Sequence, residues 1–212
     1  MKDLIIVGAG GMARKVFTFL RRLNESEKKW NIIGCIDDNQ NALDGVKFDL
    51  GIIGTISDWQ PTEDQVFVMG ISDPKLKHKI SDMMLAKGAK FETIVSPEVI
   101  MGDYVEIGEG SVILTPYNVE SGAKIGRFVT LLGSTIALDG VIGDYSTTAG
   151  FANLTNAKIG KEVYVGSHAV LVENITVGDG AFVSVGSIVL KDVKPNEQVF
   201  GYPARVVGRK DN

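Results

Sequence analysis

Residues 159–189 read IGKEVYVGSHAVLVENITVGDGAFVSVGSIV, and this run decides the fold. An aliphatic residue stands at every sixth position: Ile159, Val165, Leu171, Val177, Val183 and Val189. The same spacing holds upstream through Ile107, Ile113, Val119, Ile125 and Leu131, and again through Ile136, Ile142, Thr148 and Leu154. Two steps are shortened, between Leu131 and Ile136 and between Leu154 and Ile159. A period of six is neither helical nor the simple alternation of a strand. It is the hexapeptide signature of a parallel β-helix, in which each hexad forms one short flat side and its aliphatic residue points inward. About fifteen hexads make about five triangular coils, rising about 4.8 Å per coil. The shortened steps are expected to trim corners rather than end the helix. Glycine follows the inward residue at Gly108, Gly126, Gly143, Gly160, Gly166 and Gly178, where it is expected to let the chain turn. Thr148 is the one polar inward residue. It either hydrogen-bonds within its coil or marks a functional interruption.

Residues 1 to about 93 follow a different grammar of alternating strands and helices. Leu4–Val7 is a short buried strand, Gly8–Gly11 a tight turn, and Met12–Leu23 has helical spacing. Asn31–Ile36 and Gln65–Gly70 are further strands, Pro74–Lys87 is a helix, and Phe91–Val95 closes the unit. Strand, glycine turn, helix, strand opens a doubly wound, Rossmann-like α/β sheet. The chain therefore divides into a Rossmann-like domain at 1–93, a β-helix at 94–190 and a tail at 191–212 that leaves the hexad pattern and packs on the β-helix.

With 212 residues, 44% of them hydrophobic and 23% charged, the chain can bury a sizeable core. A net charge of −4 without a Lys/Arg cluster disfavours nucleic acid and anionic membrane surfaces as partners. No apolar stretch is long enough for a membrane span, and no signal peptide is visible. Cys35 is alone and cannot staple the chain. These features fit a cytoplasmic protein.

Gly8-x-Gly10-x-x-Ala13 follows a strand and opens a helix. Such glycines let the backbone approach phosphates, while the helix N-terminus supplies unpaired N–H groups and positive potential. Asp37 and Asp38 end the next strand, at the sheet edge where such folds bind ligands, and suit a ribose hydroxyl or a nucleobase N–H. The competing reading is a tight turn with aspartates capping a loop. Ser72-Asp73-Pro74 reads more simply as a helix N-cap.

A short α/β domain with this glycine turn and an Asp-Asp strand end, followed by a hexapeptide β-helix, resembles a family. It is that of the sialic acid O-acetyltransferase-like sugar acyltransferases, of which the bacillosamine-type nucleotide-amino-sugar N-acetyltransferases are the best-understood members. The markers are Val7–Gly11, Ile36–Asp38, Ile94–Pro97, Val141–Tyr145, Val185–Ser187 with Lys191–Asp192, and Gly201–Arg205. The resemblance implies a left-handed β-helix and a homotrimer with active sites between neighbours. It implies a UDP- or dTDP-amino-sugar held by Gly8, Gly10, Gly11, Asp37 and Asp38. It implies acetyl-CoA as cosubstrate, lying near Gly143, Gly166 and Gly186 with Arg205 meeting a phosphate. N-acetylation in surface glycan synthesis follows from it.

The family's stretch resembles E-H-D-x-x-I-G-D, whereas this chain reads Ala137-Leu138-Asp139-Gly140-Val141-Ile142-Gly143-Asp144. By resemblance, Leu138 stands where the catalytic histidine would be, and leucine cannot take a proton. His168 is one candidate for a displaced base, facing a neighbouring subunit's cleft, and Asp139 is the other. His168 has a duller reading as a corner histidine with a structural hydrogen bond, and Asp139 is expected either to orient the substrate amine or to accept its proton. Three readings stay open: amine transfer without a dedicated base, transfer using His168 or Asp139, and a catalytically inert relative that keeps its ligand sites for regulation or assembly. With only two histidines, His78 and His168, a three-histidine metal site is not expected.

Overall fold

The computed structural model describes residues 1–114 and 118–209, with the backbone alone for Ser26 and Glu27. The last three residues of the 191–212 tail lie outside the described residues. The chain divides into two compact units, one comprising Met1–Ser72 and Leu76–Thr93, the other Ile94–Asn212 with the short Asp73–Lys75 stretch.

The first unit contains β1 (Lys2–Val7), α1 (Gly11–Glu27), β2 (Trp30–Ile36), β3 (Ile52–Gly54), β4 (Gln65–Met69) and α2 (Pro74–Ala86). The strands pair in parallel in the order β3-β2-β1-β4. Leu4 to Val7 are fully buried on the central strand, as a parallel strand covered on both faces requires. Met12, Ala13, Val16, Phe17 and Leu20 give α1 a buried face at three- and four-residue spacing, and Arg14, Lys15 and Thr18 lie on its exposed side. The helix stops at Lys28, whose left-handed backbone (φ 47°) returns its N–H to the Asn24 carbonyl. Chain order reverses between β1 and β4, so the carboxyl ends of these two strands form a topological switch point. β3 is absent from the sequence reading because three residues show no alternation. Phe91 does bridge to Phe67, but Ile94 and Val95, grouped with it from sequence, pair with Val112 and Ile113 in the second unit. Their aliphatic character fits either sheet, and only the pairing decides.

The second unit is a left-handed parallel β-helix with three walls. The first wall stacks Ile94–Val95, Val112–Leu114, Thr130–Leu132, Thr147–Thr148, Tyr164–Val165 and Phe182–Val183. The second stacks Glu106–Ile107, Lys124–Ile125, Val141–Ile142, Lys158–Ile159 and Thr176–Val177. The third runs from Ile100–Met101 and Asn118–Val119, through bridges at Ile136 and Asn153, to Val170–Leu171 and Ile188–Val189. Val112 sits over Ile94 and Thr130 over Val112 after eighteen residues, whereas Thr147 over Thr130 and Tyr164 over Thr147 take seventeen. The two shortened steps are thus absorbed at corners while the walls stay in register. From Ile113 to Val189 the inward residues are buried, each such aliphatic side chain contributing about 1.5–3 kcal/mol. Thr148 is also fully buried; its hydroxyl lies 2.6 Å from that of Ser134, which donates to the Ala149 carbonyl at 3.1 Å. Its polarity is satisfied inside the coil.

The glycines after the inward residues do not make the turns. None of them has positive φ. The left-handed corner falls two residues later, at Phe128, Asp139, Tyr145, Glu162, His168 and Asn174, and at Gly110, Gly122, Gly180 and Gly186. What demands glycine after the inward residue is the next coil. A Cβ on Gly143 would lie 2.5 Å from the carbonyl carbon of Gly160, and one on Gly166 would lie 2.6 Å from the Val185 nitrogen. The hexads also run past residue 190: Val193 bridges Val177, and Val199 pairs with Val183. Glu197–Gly201 then folds back on Ala204–Arg209 as an antiparallel hairpin. No helix among the described residues is long and apolar enough to cross a membrane.

Candidate functional site

In the first unit, the turn between β1 and α1 is built around a carboxylate. The Ala9 N–H donates to Asp37 Oδ2 at 2.7 Å, and the Asn39 N–H donates to Asp37 Oδ1 at 2.8 Å. Asp37 therefore ties the glycine turn to the end of β2. Gly8 has φ 97°, and a Cβ there would press on Ile71 Cγ1 at 2.9 Å and on the Gly70 carbonyl. Gly10 and Gly11 differ. A Cβ on Gly10 would meet nothing within 4 Å, and one on Gly11 only the tip of Arg14 at 3.9 Å. No side chain caps α1, and its first turn holds no acidic residue. Open glycines at an uncapped helix N-terminus leave N–H groups and positive potential facing outward, a cradle for an anion.

Asp38 is exposed and accepts the Ser57 N–H at Oδ1, 2.9 Å away. It lies at the same sheet end as the cradle. Beyond β3, Gly54, Thr55, Asp58, Trp59 and Gln60 line an open cleft of about 450 Å³, which the sequence reading did not identify. Its only sequence signal is a tryptophan within a polar stretch. Beneath the cradle, Cys35 is buried and its thiol is pushed up to about 12, by burial first and by the Asp37 charge second. It is an inert core thiol.

The predicted residues of the second unit are spread over its corners. Gly166, His168 and Gly186 share the edge between the first and third walls. His168, exposed at a left-handed corner (φ 59°), stacks on Phe151 with ring centroids 4.9 Å apart and planes 10° from parallel. Gly143 lies on the edge leading from the second wall to the first. Asp139 (φ 56°) and Leu138 lie on the remaining edge, between the third wall and the second. His168 and Asp139 thus stand on different edges of one protomer. An Asp139 carboxylate oxygen packs against Gly122 of the coil before, just as the Asn196 amide oxygen packs against Gly180.

Among the described residues of this unit, two clefts bear on the site. Lys191, Asp192, Glu197, Pro203 and Arg205 contribute to one of about 360 Å³ at the C-terminal hairpin. Arg205 is exposed there, donating to its neighbour's carbonyl at Ala204. The other, about 190 Å³, is lined by Ile100, Asn118, Glu120, Ser121 and Leu138, among others. Leu138 is 58% exposed, and its N–H donates to Glu120 Oε2 at 3.2 Å. Glu120 is absent from the sequence reading. It falls one residue after an inward valine, a position that glycine, alanine, leucine and valine also fill in other coils, so the hexad pattern does not single it out. Among the described residues no group of three His, Cys, Asp or Glu side chains could hold a metal ion.

Residues 3–84 match the model for the PglD N-terminal domain. The chain is 31% identical over 156 residues to a GDP-perosamine N-acetyltransferase of Escherichia coli O157:H7, covering 70% of this chain and 71% of that protein. Among solved structures it is similar to WeeI from Acinetobacter baumannii AYE, with TM-score 0.85, 28% identity, and coverage of 98% of this chain and 100% of that one. It shares its fold with the acetyltransferase domain of PglB from Neisseria gonorrhoeae FA1090 in complex with acetyl coenzyme A. There the TM-score is 0.82 at 23% identity, with 97% and 99% of the two chains covered.

Proposed function

This chain belongs to the nucleotide-amino-sugar N-acetyltransferase family, and from that premise we propose that it moves an acetyl group from acetyl-CoA to the amine of a nucleotide-linked amino sugar during glycan synthesis. The observation that carries this reading is the open cradle at Gly10 and Gly11, where the backbone leaves room for a bulky anion at an uncapped helix end. The nucleotide's phosphates sit there, and Asp38 reaches the ribose or base. Gly8 and Asp37 shape the turn that presents these groups. CoA lies along the edge carrying Gly166 and Gly186, past Gly143 on the neighbouring edge, with Arg205 at its phosphate end. The assembly is a homotrimer, in which His168 of one copy faces a cleft of the next. The lone buried thiol fits the cytoplasm.

Incubation with acetyl-CoA and a panel of GDP-, UDP- and dTDP-amino-sugars tests this reading. Free CoA thiol appears with at least one sugar, and the product mass rises by one acetyl group. Absence of thiol across the panel refutes it. One observation favours a second reading, an inert relative that binds without turnover: the exposed, apolar Leu138 lies where the resemblance puts a base. Measurable sugar binding by calorimetry without thiol release supports that alternative.

A further inference from the structure

The cleft beside Leu138 places one carboxylate next to an apolar surface. Glu120 is half-buried, and its Oε2 is held by the Leu138 N–H at 3.2 Å. Among the described residues nothing bonds Oε1. Asn118 and Ser121 line the same cleft with neutral polar groups. The Asp103 N–H donates to Ser121 Oγ at 3.0 Å, which leaves the hydroxyl proton free to point elsewhere. A cleft with an apolar floor, a fixed carboxylate and two neutral donors suits a primary amine: the carboxylate accepts its hydrogen, and the neutral groups orient the carbon that bears it.

The neighbouring candidates are committed to other tasks. Asp139 holds the left-handed corner in the posture that Asn196 adopts over Gly180, and an amide cannot take a proton. His168 is stacked on Phe151 along another edge. We propose that Glu120 is the group that accepts the proton of the sugar amine, an inference that rests on the acetyl-transfer reading above. The amine nitrogen attacks the thioester carbonyl of the acetyl-CoA held along the Gly166 edge of a neighbouring copy in the trimer, and the new C–N bond forms. The nitrogen's proton passes to Glu120, the C–S bond breaks, and the proton then neutralises the departing CoA sulfur as a thiol. The Leu138 main chain holds the carboxylate, so the residue contributes through its N–H whatever its side chain.

Release of CoA thiol by the full chain, read with the sugar panel, decides the matter. Glu120→Gln keeps an oxygen for the Leu138 N–H and is expected to unfold at the wild-type temperature. Its kcat falls by about a hundredfold or more while KM stays within about threefold. Glu120→Asp, which keeps the charge but draws it back, falls in between. Placing a base on the neighbouring position with Glu120→Gln/Leu138→His recovers at least about tenfold of the lost kcat. A Glu120→Gln enzyme with wild-type kcat, or one changed in KM alone, overturns the role of Glu120 and leaves acetyl transfer standing. Failure of the wild-type protein to release thiol with any sugar overturns both.

Discussion

Gly143→Ala separates two reasons for a glycine on the β-helix, a path for CoA and room for the next coil. The added Cβ would lie 2.5 Å from Gly160 C, 2.6 Å from Gly160 O and 2.7 Å from Lys161 N. All three atoms are backbone and cannot swing aside. Restoring ordinary contact at 3.4 Å means parting the two coils locally by about 0.9 Å. The Gly143 N–H to Ile159 carbonyl bond, now 2.8 Å, then passes out of hydrogen-bonding range. Losing one such bond costs about 1 kcal/mol, and overpacking adds about 1–3 kcal/mol. The expected total is about 2–4 kcal/mol, or about 5–15 °C in Tm for a chain of this size. Thermal and urea unfolding without ligand, followed by circular dichroism, read it directly. A Gly143→Ala protein that unfolds within about 2 °C of wild type, yet has lost CoA affinity, would refute the packing argument and return this glycine to the cofactor.

Gly10→Ala carries no steric penalty, so its stability should stay within about 1 kcal/mol of wild type. Calorimetry should show nucleotide-sugar affinity falling at least about tenfold, because the methyl group fills the space a phosphate needs. Asp37→Ala strips the Ala9 and Asn39 N–H groups of their acceptor and is expected to cost about 2 kcal/mol in urea unfolding, even with no ligand present. The Cys35 thiol rises from 9.0 to about 12 on folding. The unfolded chain therefore loses that proton first, and the thiol's contribution is intact below pH 9 and declines between pH 9 and 12, by about 1.4 kcal/mol per pH unit. Cys35→Ala should flatten this part of the alkaline stability profile. Asp139→Asn should leave stability within about 0.5 kcal/mol, since asparagine tolerates the left-handed corner, while Asp139→Val should cost about 1–2 kcal/mol or more.

The β-helix was readable because its period is carried by one side chain per hexad, and burial enforces it at every step from Ile113 to Val189. What the sequence hid was where the chain turns. Left-handed φ at Phe128, Tyr145 or Glu162 runs against residue preference, and the stacked coil imposes it. The glycines drew attention because they are the residues that usually turn a chain, yet here they answer to atoms about eighteen residues away, a distance no local pattern displays. Asp37 and Asp38 looked alike in sequence. Only the fold shows that one is committed to Ala9 while the other faces outward. Glu120 was invisible for a similar reason: its partner is the main chain of Leu138, and a backbone N–H has no letter in the sequence.

The antiparallel hairpin at Glu197–Arg209 ends the run of parallel coils. A stack of parallel coils has no intrinsic stopping rule, and each finished coil is a template for another strand, in the same chain or a stranger. Turning the final strand round breaks that template, and Arg205 places an exposed charge on it. Without that strand, Glu197–Gly201 would present an unpaired edge to any strand able to add to it.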